Sequence, residues 1–211
     1  MIGICRQAQK ARDWGPLSEA DVADAIQLAK QAIELGKDDP DTLWMAAHCL
    51  SALAGEHAVA VGAIRRALTL NPNCAHAWMA RGLVSAFSEP DAALQSFQRA
   101  MRLSPLDPLT YIFTAGMAFA HSTAGRYEEA IEWADRSLYE QPRFTAALRI
   151  KVALCIHLDR VEEARQWLER LLHQQPGMTI AGLRSYAARF TAPEFLTWYL
   201  DSLRKAGLPE E

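Results

Sequence analysis

No run of apolar residues in this chain approaches the roughly 18 needed to cross a bilayer. The opening MIGICRQAQKARDW is too polar for a secretory leader, so no membrane association is expected. An excess of one charge is also missing. The chain sets 22 Lys+Arg against 25 Asp+Glu, a formal net charge of −3, without the basic stripe that nucleic-acid binding requires. Its four cysteines (Cys5, Cys49, Cys74 and Cys155) stand far apart and form no CxxC pair. That usage fits buried free thiols in a reducing cytoplasm and argues against a metal site. The six histidines fall in no HxxxH or HExxH spacing, no serine sits in GxSxG, and no GxxxxGK[ST] loop occurs. Catalytic, cofactor and metal sites are therefore not expected, and neither is an enzyme.

What is present is helical periodicity. Half of the residues are hydrophobic, and they recur at three- and four-residue spacing, interrupted at short intervals by Pro, Gly or Asp-Pro. Nothing alternates with period two for long enough to predict a strand. GRYEEAIEWADRSLYEQP (125–142) and DRVEEARQWLERLLHQQP (159–176) align at an offset of 34 residues. Arg126 matches Arg160, Ala130 matches Ala164, Trp133 matches Trp167, Arg136 matches Arg170, and Pro142 matches Pro176. Glu128-Glu129 and Glu162-Glu163 recur with them and read as helix-start acids that favour the macrodipole rather than as catalytic carboxylates. Trp133 and Trp167 are expected to be large buried packing residues whose truncation costs about 3–5 kcal/mol.

Four successive units share this grammar. Trp44, Gly55, Ala60, Ala67 and Pro72 mark one, and Trp78, Gly82, Ala93, Phe97, Ala100 and Pro105 the next. Tyr111, Ala118, Gly125, Ala130 and Pro142 mark a third, and Leu148, Val152, Ala164, Leu168 and Pro176 a fourth. The small residues let paired helices approach, and the prolines separate the units. In SPLDP the reading places Asp107 as an N-cap and Pro108 in the first helical turn. The pattern resembles the tetratricopeptide repeat, a helix–turn–helix unit of about 34 residues.

The resemblance implies an all-α fold, a right-handed superhelix of antiparallel helix pairs in one solenoid domain. Its expected boundaries are a truncated first pair (1–40), repeats at 41–74, 75–107, 108–144 and 145–177, and a C-terminal cap at 178–211. Helices are expected at 2–14 and 17–36, the latter capped by Ser18, and at 178–190 and 192–206, the last with Thr191 and Glu194 as a capping box. The words WGPLSEAD, LNPNCAHAWMARG, AMRLSPLDPLTY, AHSTAGRYEEAIEWADRSL and YLDSLRKAGLPE further resemble the C-terminal repeat region of bacterial class III adenylate/guanylate cyclases. Related regions follow winged-helix regulators. That closer resemblance implies a regulatory or interaction module, with Met1 falling inside a longer reading frame in relatives.

By the family's geometry, helix A of each unit lines a concave groove for a protein or peptide partner. The residues placed there are Met45 and Cys49, then His76, Met79, Leu83 and Phe87, then Ile112 and Phe119, and finally Arg149, Ile150 and His157, with Arg184 one repeat on. The Lys and Asn residues that clamp a C-terminal carboxylate in chaperone-binding members are missing from this set. Arg149 and Arg184 would either anchor an acidic ligand or pair with Glu194 or Asp201. The last helix carries Phe195, Leu196, Trp198, Tyr199, Leu200 and Leu203, more apolar surface than a solvating cap needs. It is expected to fold back over the final repeat, with a homodimer through this helix as the alternative.

Overall fold

A computed structural model of the chain describes residues 18–187 and 192–211. The helix expected at 2–14, Cys5, and the capping residue Thr191 lie outside the described residues. Among those described, eleven helices occur and no strand: α1 (Glu19–Leu35), α2 (Pro40–Ala54), α3 (His57–Leu70), α4 (Ala75–Ser85), α5 (Pro90–Leu103), α6 (Thr110–Thr123), α7 (Tyr127–Glu140), α8 (Thr145–His157), α9 (Val161–Gln174), α10 (Ile180–Ala187) and α11 (Pro193–Ala206).

The helix ends follow local chemistry. Ser18 caps α1 through a reciprocal box: Asp21 N–H donates to the Ser18 hydroxyl at 3.1 Å and Ser18 N–H donates to the Asp21 carboxylate at 3.3 Å. Asp39 accepts from the backbone of Asp41 and Thr42 ahead of Pro40, the first residue of α2.

The prolines that close the units do not occupy first helical turns. Each sits second in a tight turn after its helix. N–H of Cys74 donates to Asn71 O, Asp107 to Ser104 O, Phe144 to Gln141 O, and Met178 to Gln175 O. Pro72, Pro105, Pro142 and Pro176 thus hold the turn position their fixed φ suits. Pro108 likewise precedes α6, which begins at Thr110 with Leu109 as its N-cap.

The turns inside the third and fourth pairs also repeat. Arg126 N–H donates to His121 O at 2.9 Å, and 34 residues on Arg160 N–H donates to Cys155 O at 2.8 Å. Both are Schellman closures that need a left-handed residue. Gly125 supplies it at φ 74°, and Asp159 supplies it at φ 59° without a glycine's freedom.

The described helices fall into two compact units. The first holds residues up to Ser85 together with Gln95–Asp107, and the second holds Ala86–Leu94 with Pro108–Glu211. In the first unit α1 packs on α2 through Ala25, Ala29, Ala46, Leu50 and Leu53, and α2, α3 and α4 share a core of Leu43, Ala47, Ala60, Ile64 and Ala77. A Cβ on Gly82 would lie 2.7 Å from the ring of fully buried Phe97. This position therefore demands glycine for close approach, as the small-residue pattern predicts.

In the second unit one core runs from Ala118 and Ala130 through Leu148, Val152, Ala164 and Leu171 to Leu200, Leu203 and Leu208. Trp133 and Trp167 lie at its margin, partly buried, so the cost expected for truncating them is too high. Their rings instead carry guanidinium groups, Arg136 at 5.3 Å and Arg170 at 4.3 Å from the ring centroids. The repeated Trp–Arg pair thus shields a core edge.

Candidate functional site

The groove residues of the first unit do not form a continuous surface. Cys49 and Met79 are 1% and 3% exposed, so both are core residues rather than partner contacts. Met45, His76 and Leu83 are half-buried. The His76 ring stacks on Trp44 at 5.3 Å, and its Nε2 lies 3.3 Å from the Asp107 carboxylate.

In the second unit α11 covers the face that α6 and α8 share. Its residues 195, 198 and 199 stand at i, i+3 and i+4, which places them on one side of a helix. The Phe195 ring lies 5.2 Å from Phe87 and 6.3 Å from Phe119, and Tyr199 lies 6.1 Å from Phe119. Nε1–H of Trp198 donates to Nδ1 of His157 at 3.1 Å, and the His157 ring sits 3.7 Å from that of Tyr127. Nε–H of Arg149 donates to the Tyr199 hydroxyl at 3.2 Å. Phe87, Phe119, Arg149 and His157 are therefore brought together, by the chain's own last helix.

Ile150 is fully buried and belongs to the core. Ile112 is half-buried and Arg184 is exposed on α10. Arg149 takes neither acid foreseen for it. Asp201 pairs with Arg204, one helical turn away, which also holds Glu210, and proximity along α11 decides that pairing. One of the five guanidinium N–H groups of Arg149 is thus spent on a phenol rather than on an acid.

The helix does not fill this face completely. A cavity of about 430 Å³ remains beside the start of α11, lined by Phe87, Ser122, Thr123, Tyr127, Ala192, Pro193, Glu194, Phe195 and Trp198. Sequence reasoning named Phe87 for the groove and the aromatic residues of the last helix as surplus apolar surface. It missed Tyr127, because a tyrosine opening a B helix looks like a helix-start residue.

A second cluster lies within the same unit. Lys151 is 3% exposed in its side chain and reaches Asp135 at 2.7 Å and Glu163 at 3.5 Å. Trp167 Nε1–H donates to Glu163 at 3.1 Å. Burial works to raise the Glu163 pKa, but the Trp167 hydrogen bond and Lys151 outweigh it and hold the carboxyl below its ordinary value. The repeated Glu-Glu pair is thus not uniformly solvated: Glu163 clamps α8 and α9 together. Beside it, burial pushes the Cys155 thiol up to about 12, which leaves a poor nucleophile. No group of three or more His, Cys, Asp or Glu able to hold a metal occurs among the described residues, and no described helix is long and apolar enough to cross a membrane.

Comparison with known proteins agrees with this architecture. The chain is similar to PilW, described as a widely conserved type IV pilus biogenesis factor, at TM-score 0.66 and 17% identity over 88% of this chain and 86% of that one. It is similar to TTC0263, a thermophilic TPR protein of Thermus thermophilus, at TM-score 0.64 and 17% identity over 81% and 91%. It is also similar to YrrB, described as a TPR protein with an unusual peptide-binding site, at TM-score 0.53 and 20% identity over 84% and 90%. At these identities the likeness concerns the fold. No curated protein matches the sequence. The tetratricopeptide repeat model matches residues 54–108, 85–143 and 120–179, more than half of the chain. With its helix pairs, Schellman turns and proline-led connections, this all-α solenoid belongs to the tetratricopeptide repeat family.

Proposed function

We propose that the chain is a non-catalytic scaffold that binds a segment of another protein, and that the cavity beside α11 receives part of that segment. The carrying observation is that the α6–α8 face accommodates a helix through three aromatic side chains yet leaves about 430 Å³ unfilled at its end. Tetratricopeptide repeats generally mediate protein–protein interaction, which supports the reading. The test places the photo-crosslinker p-benzoylphenylalanine at Thr123, which lines the cavity, or at Tyr139, which is 90% exposed on α7. A discrete partner band from position 123 and none from 139 is expected. No band, or the same bands from both positions, would overturn the proposal.

A second reading is favoured by the cyclase-like words in the sequence, among them YLDSLRKAGLPE. In it the scaffold regulates an adenylate/guanylate cyclase or a transcriptional regulator, in cis or in trans. Mass spectrometry of the band cross-linked at position 123 separates the two readings, since only the second requires a cyclase or a DNA-binding regulator.

A further inference from the structure

We propose that the cavity beside α11 is a receptor for an alkylammonium group, held by an aromatic cage and one carboxylate. This deepens the scaffold reading by naming the chemistry that the partner presents. Four of its walls are aromatic: Phe87, Tyr127, Phe195 and Trp198. The rings follow one another at 5.2–5.3 Å, Phe87 to Phe195, Phe195 to Trp198 and Trp198 to Tyr127, each pair tilted by 33–52°. A curved wall of π-faces attracts a cation through the ring quadrupoles, most strongly where water is excluded.

The polar groups select the same sign. Among the described residues, Glu194 is the one charged side chain lining the cavity. The aliphatic hydroxyls on the lining are already used within α6: Ser122 donates to Ala118 O at 2.7 Å and Thr123 donates to Phe119 O at 3.0 Å. The Trp198 N–H is taken by His157. The start of α11 contributes less positive character than an ordinary helix N-terminus, because Pro193 has no N–H and Glu194 sits in the first turn. Apart from the phenol of Tyr127, the cavity therefore offers lone pairs, π-faces and a carboxylate.

It is also organised before a ligand arrives. Trp198 is pinned through His157, and Phe195 stacks on Tyr199 at 5.7 Å with an interplanar angle of 14°. Little freedom of those two rings remains to be lost on binding. The volume falls in the ~300–1,000 Å³ range of small-ligand sites, which admits a methylated lysine side chain or a free quaternary amine.

Titration calorimetry of the full chain with choline, its uncharged isostere 3,3-dimethylbutan-1-ol, and a peptide bearing trimethyllysine tests the assignment. Choline or the trimethyllysine peptide should bind at least tenfold more tightly than the isostere, and Glu194→Gln should weaken that binding about fivefold with an unchanged melting curve. Tighter binding of the peptide than of choline identifies a protein source for the cation, and equal affinities identify a small amine. Either supports the cage. Equal affinity of choline and the isostere, or no binding by choline and peptide alike, would overturn it. The scaffold reading would survive that failure if the cross-link at position 123 persists.

Discussion

Lys151, Asp135 and Glu163 show how single residues tie neighbouring helices of the second unit. A buried lysine is tolerable only when its charge is met, and here one carboxylate from α7 and one from α9 meet it on α8. The sign of the resulting pH dependence follows from Glu163, whose folded-state pKa lies below the ordinary 4.5. An acid with a depressed folded-state pKa contributes stability that is fully present above its unfolded pKa and lost as pH falls through the folded one. The parent should thus lose urea resistance below about pH 4.5 more steeply than Glu163→Gln, measured as the shift of the unfolding midpoint against a reference near pH 7. Parallel pH profiles for the two proteins would remove Glu163 from the account.

At the scale of elements, α11 does two jobs with adjoining parts of one buried face. Leu200 and Leu203 complete the core of the last helix pairs, while Phe195, Trp198 and Tyr199 cover α6 and α8. The double variant Phe195→Ala with Trp198→Ala should keep the helical circular dichroism, lower stability by roughly 2–4 kcal/mol for two half-buried rings, and raise ANS fluorescence as the covered face opens. Thr197→Ala, on the exposed side of the same helix, should change neither. An ANS signal unchanged in the double variant would show that the aromatic face is not a cover. Much of this architecture was legible in the sequence: the 34-residue offset places helix pairs and turns because each unit solves the same packing problem with the same small residues. The occupant of the α6–α8 face was legible only as surplus aromatic surface on a terminal helix. Whether such a helix turns inward depends on Phe87, Phe119 and Tyr127, which are far from it in sequence and unremarkable where they stand. Cys49, Met79 and Ile150 were misplaced for a related reason. Position within a helix fixes direction, but burial depends on which helix packs over it.

For the whole molecule, the energetics of a repeat protein are dominated by neighbouring elements, so damage should be felt most within the unit that carries it. Two thiols serve as internal reporters. Cys49 in the first unit and Cys155 in the second are both buried, and burial pushes their pKa values up to about 11 and about 12, so either reacts with a thiol reagent only when its surroundings open. Chains retaining one of these cysteines, with the others replaced by serine, can be labelled under native conditions in separate experiments. Leu203→Ala removes a fully buried side chain from the second core, a change that costs about 2–5 kcal/mol. Because each 1.4 kcal/mol is about tenfold in an opening equilibrium, Cys155 labelling should accelerate thirtyfold or more, while Cys49 labelling changes much less. Equal acceleration at both cysteines would mean that opening is a single global event, in which case the proposed cage in the second unit could not be loosened or tightened without altering the stability of both units.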